Sequence, residues 1–288
     1  MHEIATWFAT TGRDLPWRGQ QRDPWAVVVS ETMLQQTQVD RVVPYWVSWM
    51  DTWPTPADLA AEPTANVLRA WGRLGYPRRA LRLQETAGLI RDRHHNQVPD
   101  SYDALVALPG VGDYTANAVL AFAFRQRVPV LDTNVRRVLA RTVDGEPAPS
   151  TTAPTKAERQ RTLELLPAMP ANAAVLSEAL MELGALVCTS KNPNCDACPV
   201  RPRCAWRQAG SPAATQPPLR ARQRAFAGSD RQVRGIILAA LRDHYDALTA
   251  ARFDLLWPDQ QQLQRARNSL LDDGLVVIAA NNALSLPV

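Results

Sequence analysis

Four cysteines lie within seventeen consecutive residues of this chain, in the stretch CTSKNPNCDACPVRPRC. They have the spacing C-x6-C-x2-C-x5-C and are Cys188, Cys195, Cys198 and Cys204. The sequence begins without the basic and apolar segments of a secretory signal, so we do not expect disulfides. Structural zinc sites usually contain two close cysteine pairs, and this stretch contains one. The spacing therefore favours an iron–sulfur cluster bound by all four thiolates, with zinc as the competing metal.

The chain around this loop has the pattern of a helical protein. Between residues 4 and 206, apolar residues recur with the helical period, and Pro or Gly separates the segments. The predicted fold class is all-α. The 288 residues carry a net charge of +4, with a pI of about 9.1, which weakly favours a polyanionic partner. No apolar run is long enough to cross a bilayer, so we expect a cytoplasmic protein that does not contact membranes.

The composition changes near the C-terminus. Residues 209–229 are rich in Pro, Ala and Arg, which is typical of a linker. Residues 230–288, called the C-terminal module below, contain two helical patterns and then two short strand patterns joined at Asn281–Asn282. This order predicts a small module similar to a winged helix.

The stretch LPGVGDYTA, residues 108–116, predicts a glycine turn that leads into a helix. Gly110 and Gly112 allow the amides of the turn and of the first helical residues to approach an anion closely. The helix dipole favours negative charge at the same point. Asp113 is the alternative source of that charge, because its side chain could cap the helix.

Two carboxylates stand out by their surroundings. Glu31 ends the apolar stretch WAVVVSETML, so its carboxyl group is expected to be desolvated and to hold a proton near neutral pH. Asp132 lies in VPVLDTNVRRVLAR, just before a helical pattern, where an aspartate commonly serves as an N-cap. An exposed position on a helix is the alternative for Glu31, and a purely structural N-cap is the alternative for Asp132.

These motifs together resemble the MutY-type adenine DNA glycosylases of the endonuclease III, or helix-hairpin-helix, superfamily. The cysteine spacing, LPGVGDYTA and SETMLQQTQVDRVVPYW (residues 30–46) carry the resemblance, which covers residues 3–210. It implies a two-lobed fold with a helical barrel domain at 18–127. The second lobe, residues 1–17 and 128–208, is implied to hold a structural 4Fe–4S cluster.

The resemblance also implies catalytic roles. Glu31 would protonate the leaving adenine, and Asp132 would stabilise the positively charged sugar with Asn134 holding it or the sugar phosphate in place. Strand-cleaving relatives carry a lysine just after the glycine turn, and this chain has Tyr114 there. Because a tyrosine cannot form an imine, we expect base release without strand cleavage.

The implied DNA contacts form three groups. Gln36 and Tyr76 would insert into the base stack beside the opposite base, while Leu34 and Thr37 would support them. The backbone at Gly110 and Gly112 would bind a phosphate. Exposed cations next to Tyr76 would bind further phosphates; they are Arg78 and Arg79.

The resemblance ends at the C-terminal module. Most MutY enzymes carry a larger Nudix-like domain there, and residues 230–288 resemble the compact tail of a short, actinobacterial-like branch. The expected partner is double-stranded DNA containing adenine mispaired with 8-oxoguanine or guanine, bound by a monomer associated with the nucleoid. A glycosylase for thymine or uracil opposite guanine is the enzymatic alternative. A non-catalytic iron–sulfur DNA-binding protein is the alternative of another class.

Overall fold

The computed structural model describes residues 1–19, 22–213, 225–244, 246–279 and 282–288, and it is mostly helical. The all-α prediction is confirmed. The α-helices are α1 (His2–Thr11), α2 (Pro24–Leu34), α3 (Val39–Thr52), α4 (Pro56–Ala61), α5 (Thr64–Trp71), α6 (Arg78–Arg93), α7 (Tyr102–Val106), α8 (Asp113–Phe122), α9 (Thr133–Leu139), α10 (Lys156–Leu165), α11 (Pro170–Leu186), α12 (Ala205–Gln208), α13 (Asp230–Asp243), α14 (Ala250–Asp254) and α15 (Gln260–Asp272). Within the described ranges, no helix has the length and apolarity that spanning a membrane requires.

The chain divides into two compact units. The first takes the described residues of Met1–Val28, Asp100–Ala107 and Val111–Ala221. The second takes those of Val29–Pro99, Leu108–Gly110 and Arg222–Val288. These units are defined by contacts, and the domain boundaries implied by the family resemblance stay a prediction.

The core of the first unit lies between α1, α9 and α11. On α9, Val135, Val138 and Leu139 are fully buried, as the helical period predicts for one face. They pack in one cluster with Ile4 of α1 and with apolar residues of α11 such as Leu183. Since Asp132 immediately precedes α9, this core determines where that carboxylate lies.

Two buried carboxylates of α11 connect this core to the N-terminal segment. Glu182, whose side chain is 1% exposed, accepts hydrogen bonds from the guanidinium groups of Arg13 at 2.7 Å and Arg18 at 2.9 Å. Glu178 is similarly paired with Arg22. The sequence DLPWR, residues 14–18, is therefore held against α11 by paired charges.

The second unit has a core rich in tryptophan. The ring of Trp49 packs edge-on against Trp53, with 4.9 Å between ring centroids, and against Trp71 at 5.5 Å. Helices α4 and α6 add buried apolar residues, among them Leu59 and Leu83. Trp71 is the last residue of α5, so this core also holds the start of the segment that leads to Tyr76.

The C-terminal module has the predicted order of elements with one additional helix. Helices α13 and α15 are followed by an antiparallel pair of strands, β1 (Val277–Ile278) and β2 (Leu284–Ser285), with Val277 opposite Ser285. The additional α14 spans five residues, too few to show a helical period. Asn281 of the predicted turn and residues 214–224 of the predicted linker lie outside the described residues.

The Glu182 site predicts a pH-dependent contribution to stability. Burial alone raises the pKa of Glu182, but hydrogen bonds from Arg13 and Arg18 outweigh it and lower the pKa to about 2. Because the folded pKa lies below the unfolded value, the stabilisation is present above pH ~4.5 and is lost as the pH falls towards about 2. We expect Glu182→Gln to lower the free energy of unfolding by about 3 kcal/mol at pH 7.

Urea unfolding followed by tryptophan fluorescence measures the free energy of unfolding of both proteins. The difference between the wild type and Glu182→Gln should decrease below pH ~4.5 by up to about 1.4 kcal/mol per pH unit. The control is Glu164→Gln, which changes an exposed carboxylate of α10 and should have no comparable effect. A Glu182→Gln difference of equal size at pH 7 and pH 3.5 would contradict the assignment.

Candidate active site

Asp132 is the N-cap of α9, and both of its carboxylate oxygens accept hydrogen bonds. One accepts from the backbone N–H of Val135 at 2.6 Å, and the other from the side-chain amide of Asn134 at 3.0 Å. Burial raises the pKa of Asp132, whereas these hydrogen bonds and the charge of Arg137 act in the opposite direction. The carboxylate is therefore fixed in orientation while being largely removed from water. The predicted capping role of Asp132 is confirmed.

A chain of hydrogen bonds leads from Asp132 to the cysteine loop. The side-chain oxygen of Asn134 accepts from Arg137 at 2.8 Å. Arg137 also donates to the backbone carbonyls of Gly184, at 2.6 Å, and Cys188, at 2.8 Å. The position of Asp132 thus depends on the backbone that carries the first cysteine.

The cysteine loop belongs to the first unit. All four cysteines are free thiols; Cys188 and Cys204 are buried and the other two are partly exposed. Burial is the main cause of a raised pKa at Cys198, and the other three cysteines raise this pKa further. Among the residues that the structure describes, no group of three or more His, Cys, Asp or Glu side chains is arranged to hold a metal ion.

Arg141 lies against the same loop. Its guanidinium donates to the sulfur of Cys188 at 3.4 Å and to the carbonyl of Thr189 at 2.7 Å, and it stacks on the ring of Trp206 at 4.8 Å. The loop is therefore held by backbone contacts and carries a positive charge next to its first cysteine.

Glu31 lies in α2, in a run of seven buried residues from 27 to 33. Its side chain is largely withdrawn from water, since the residue is 5% exposed, and it lies between Ser30 and Thr32, which are also buried. The expected desolvation of this carboxyl group is therefore observed. Glu31 belongs to the second unit, whereas Asp132, Asn134 and Tyr114 belong to the first.

The glycine turn adopts the backbone that its sequence predicts. Gly110 has a φ of +78°, and Gly112 is the N-cap of α8 without a side-chain hydrogen bond to the helix. Asp113 does not cap the helix. Its carboxylate accepts instead from the hydroxyl of Tyr102 at 2.9 Å and from Arg159 at 3.0 Å. The first amides of α8 are thus left uncapped by Asp113, and Tyr114 follows as the second, partly buried residue of the helix.

The two residues expected to enter the DNA stack lie on strained turns of the second unit. Gln36 follows the end of α2 with a φ of +58°, and Tyr76 precedes α6 with a φ of +46°. Both are exposed, Tyr76 to 47%. Thr37 links the turns, because its hydroxyl donates to the carbonyl of Leu74 at 3.3 Å, and Leu34 is the last residue of α2.

Comparison with known proteins identifies the family. Residues 29–167 match the model of the HhH-GPD superfamily of base excision DNA repair proteins. An adenine DNA glycosylase of Mycobacterium tuberculosis (strain H37Rv) is 49% identical over 285 residues, which cover 99% of this chain and 92% of that protein. The human adenine DNA glycosylase is 40% identical over 213 residues, covering 71% of this chain and 39% of that protein. The chain belongs to the adenine DNA glycosylase family.

The fold agrees with this assignment. A solved structure of a thermostable thymine-DNA glycosylase is similar to this chain with a TM-score of 0.66 and 26% sequence identity. The match covers 72% of this chain and 94% of that one. The chain therefore shares the helical fold of that glycosylase over about 72% of its length.

Arg79 has a role that its sequence position did not reveal. Its guanidinium stacks on the rings of Trp71 and Tyr76 and is partly buried, which lowers its pKa to about 10. Both terminal nitrogens donate to acceptors at 2.6–3.1 Å on the turns that carry Gln36 and Tyr76; the acceptors are the carbonyls of Thr32, Met33, Gln35 and Gly75 and the hydroxyl of Thr37. These hydrogen bonds connect the two turns, and they occupy the donors of Arg79 that a DNA phosphate would need. The contact of Arg79 with a phosphate stays a prediction.

Arg78 differs from its neighbour. Its guanidinium is 58% exposed and forms an ion pair with Asp273 at 3.2 Å. In contrast to Arg78 and Arg79, the residues Arg137 and Arg141 were not predicted to belong to the site. In a sequence, an arginine near a helix end looks like a surface charge. Only the burial of these side chains marks them: they are 8% and 5% exposed.

Gly184 provides a test of the contact between α9 and α11. A Cβ at this position would lie 2.7 Å from the Cβ of Asn134, closer than two carbon atoms pack. We expect Gly184→Ala to displace Asn134, the partner of Asp132, and to lower the free energy of unfolding by about 1–3 kcal/mol. Urea unfolding measures the change.

The matched control is Gly88→Ala, since Gly88 lies within α6 and a Cβ there meets nothing within 4 Å. That substitution should stabilise the protein by up to about 1 kcal/mol through helix propensity. Equal stability of Gly184→Ala and the wild type would show that the two helices are not in tight contact at Asn134.

Proposed function

We propose that this chain removes adenine from duplex DNA in which adenine is mispaired with 8-oxoguanine or guanine. The observation that carries the proposal is Asp132, a carboxylate fixed by hydrogen bonds at the N-terminus of α9 in a chain of the adenine DNA glycosylase family. An adenine inside a duplex cannot be reached, so the enzyme flips the nucleotide out of the stack before it acts. The bond that breaks is the N-glycosidic bond between adenine and deoxyribose.

Glu31 supplies the proton in this proposal. Adenine is a poor leaving group as an anion, and protonation of its imidazole ring turns it into a neutral one. A carboxyl group that is 5% exposed is suited to this step, because loss of hydration favours the protonated form of an acid. The proton moves from the Glu31 carboxyl oxygen to a ring nitrogen of adenine as the glycosidic bond breaks.

Asp132 stabilises the sugar. Departure of the base leaves positive charge on the ring oxygen and C1′ of the deoxyribose, and a nearby carboxylate lowers the energy of that state. Burial raises the pKa of Asp132, and the hydrogen bonds from Val135 and Asn134 oppose this effect because they favour the ionised form. Water then adds to C1′ and completes hydrolysis, which leaves an abasic site.

The strand remains intact in this mechanism. Cleavage by β-elimination needs an amine that forms an imine with the sugar, and the position after the glycine turn holds Tyr114. The chain contains two lysines, Lys156 at the start of α10 and Lys191 in the cysteine loop. The reaction therefore ends at the abasic site.

Two groups of residues bind the DNA in this proposal. The backbone of Gly110 and Gly112 and the first amides of α8, which Asp113 does not cap, bind a phosphate. Gln36 and Tyr76 enter the stack beside the opposite base. Their exposure and the hydrogen bonds that connect their turns support this role.

Single-turnover excision tests the proposal. Asp132→Asn and Glu31→Gln should each slow the release of adenine by a factor on the order of 10² to 10⁴, yet retain binding to the mismatched duplex because the side chains keep their shape. Asp92→Asn, an exposed carboxylate at the end of α6, is the control and should react at the wild-type rate.

The same assay separates the alternatives. Strand breaks should appear only after treatment with alkali, and borohydride should trap no covalent complex with the wild type. Faster release of thymine or uracil opposite guanine than of adenine would assign the chain a different substrate. Binding without release of any base would leave only a DNA-binding role.

We also propose that the four cysteines hold a 4Fe–4S cluster. Four free cysteines within seventeen consecutive residues, with Arg141 beside Cys188, supply the number and type of donors that such a cluster needs. When bound, the cluster cross-links residues 188–204 and so supports the carbonyl of Cys188 that Arg137 contacts.

Freshly purified protein, handled without oxygen, should contain about four irons per chain and absorb broadly in the visible range. Cys198→Ser should lose iron, while the control Ser190→Ala, in the same loop, should retain it. Stoichiometric zinc without iron in the wild type would show that the cysteines bind the competing metal and not a cluster.

A further inference from the structure

The loop that carries Tyr76, residues 72–77, joins α5 to α6 and has an unusual backbone. Gly72, Gly75 and Tyr76 have φ angles of +52°, +82° and +46°. A Cβ on Gly72 would lie 2.8 Å from the ring of Tyr45. Such a conformation persists only where the surrounding contacts determine it.

Three backbone carbonyls of the Tyr76 loop accept hydrogen bonds from side chains. That of Leu74 accepts from the hydroxyl of Thr37 at 3.3 Å, and that of Gly75 accepts from the indole of Trp71 at 2.9 Å. The first carbonyl of the loop, that of Gly72, accepts from the guanidinium of Arg242. Since Arg242 lies on α13, this hydrogen bond comes from the C-terminal module.

Arg242 is suited to this position. Gly72 directly follows α5, where helix carbonyls lack partners and the helix dipole is negative. The guanidinium is partly buried, which lowers its pKa, and its Nε donates to the carbonyl of Leu238 at 3.0 Å. Its side chain is therefore oriented by its own helix towards the end of α5.

The other end of the loop also contacts the module. Arg78, the first residue of α6, pairs with Asp273 at 3.2 Å. The second oxygen of Asp273 accepts from Arg234 of α13 at 2.5 Å. Asp273 directly follows α15, and Arg242 lies in α13. These two helices pack on each other in the module, so the contacts at the two ends of the loop come from one packed pair of helices.

We propose that the C-terminal module positions Tyr76 by holding both ends of its loop through Arg242 and Asp273, and thereby sets the preference for the base opposite adenine. This inference rests on the proposed function, in which Tyr76 enters the stack beside that base. Arg242 and Asp273 are positioning residues, because they act through the loop backbone. The module thus contributes to specificity without reading the base itself.

Hydrogen exchange of the full-length protein without DNA tests the support of the loop. Arg242→Met removes the donors but keeps an unbranched chain, and it should speed the exchange of amides within 72–80 by about tenfold or more. These amides include those of Arg73, which donates to the Tyr45 hydroxyl, and Leu74, which donates to the carbonyl of Trp71. Peptides from α11 should exchange as in the wild type, and Arg242→Lys should restore part of the protection.

Single-turnover excision opposite 8-oxoguanine and opposite guanine tests the effect on specificity. Arg242→Met and Asp273→Asn should lower the ratio of the rate opposite 8-oxoguanine to the rate opposite guanine by about tenfold. A small displacement of Tyr76 should slow excision at the preferred mispair more than at the other one. The control Arg265→Met removes an equal charge from an exposed position on α15 and should leave the ratio within about twofold.

The outcomes separate the two proposals. Unchanged exchange in 72–80 overturns the support of the loop. Faster exchange with an unchanged ratio, or an equal loss of rate on both substrates, overturns the role in specificity. A wild-type protein that releases no adenine refutes the proposed function, while the exchange measurement still decides whether the module holds the loop.

Discussion

Hydrogen bonds from partly buried guanidinium groups to backbone carbonyls hold the irregular segments of this protein in place. Helix ends and loops leave carbonyls without helical partners, and burying such groups unpaired is costly. One arginine offers five donors on a planar group and can satisfy several carbonyls at once. Arg141, for example, donates to the carbonyls of Thr189 at 2.7 Å and Ser190 at 3.1 Å in the cysteine loop.

The candidate active site depends on the same interaction in both units. In the first unit, Arg137 connects the partner of Asp132 to the backbone of Cys188, and Arg141 holds the following residues of the cysteine loop. In the second unit, Arg79 connects the turns of Gln36 and Tyr76. The residues proposed to react with DNA or insert into it are therefore supported by cations that are already bound to the protein. These three arginines are buried or partly buried, whereas the guanidinium of Arg78 remains 58% exposed while it pairs with Asp273.

Much of the fold and of the site could be predicted because local signals coincide with it. The apolar period of NVRRVLARTV matches α9, the glycine turn has the left-handed residue at Gly110, and Asp132 caps its helix as its position indicates. The short helix α14 was missed because five residues contain little more than one turn. The role of Arg79 was missed because its acceptors around the Gln36 turn lie more than forty residues away in sequence.

The proposed reactive groups can be named from the sequence: two carboxylates in distinctive surroundings, a tyrosine at the position after the glycine turn, and four closely spaced cysteines. Each was predicted from residues at short spacing in a motif together with the family that the motif resembles. The tertiary structure alone decides which arginines donate hydrogen bonds to backbone carbonyls and which carboxylates form ion pairs. Glu182, for example, is paired with Arg13 and Arg18. Those choices depend on burial and on contacts between residues far apart in the chain, because desolvation makes a charge costly only where the fold removes it from water.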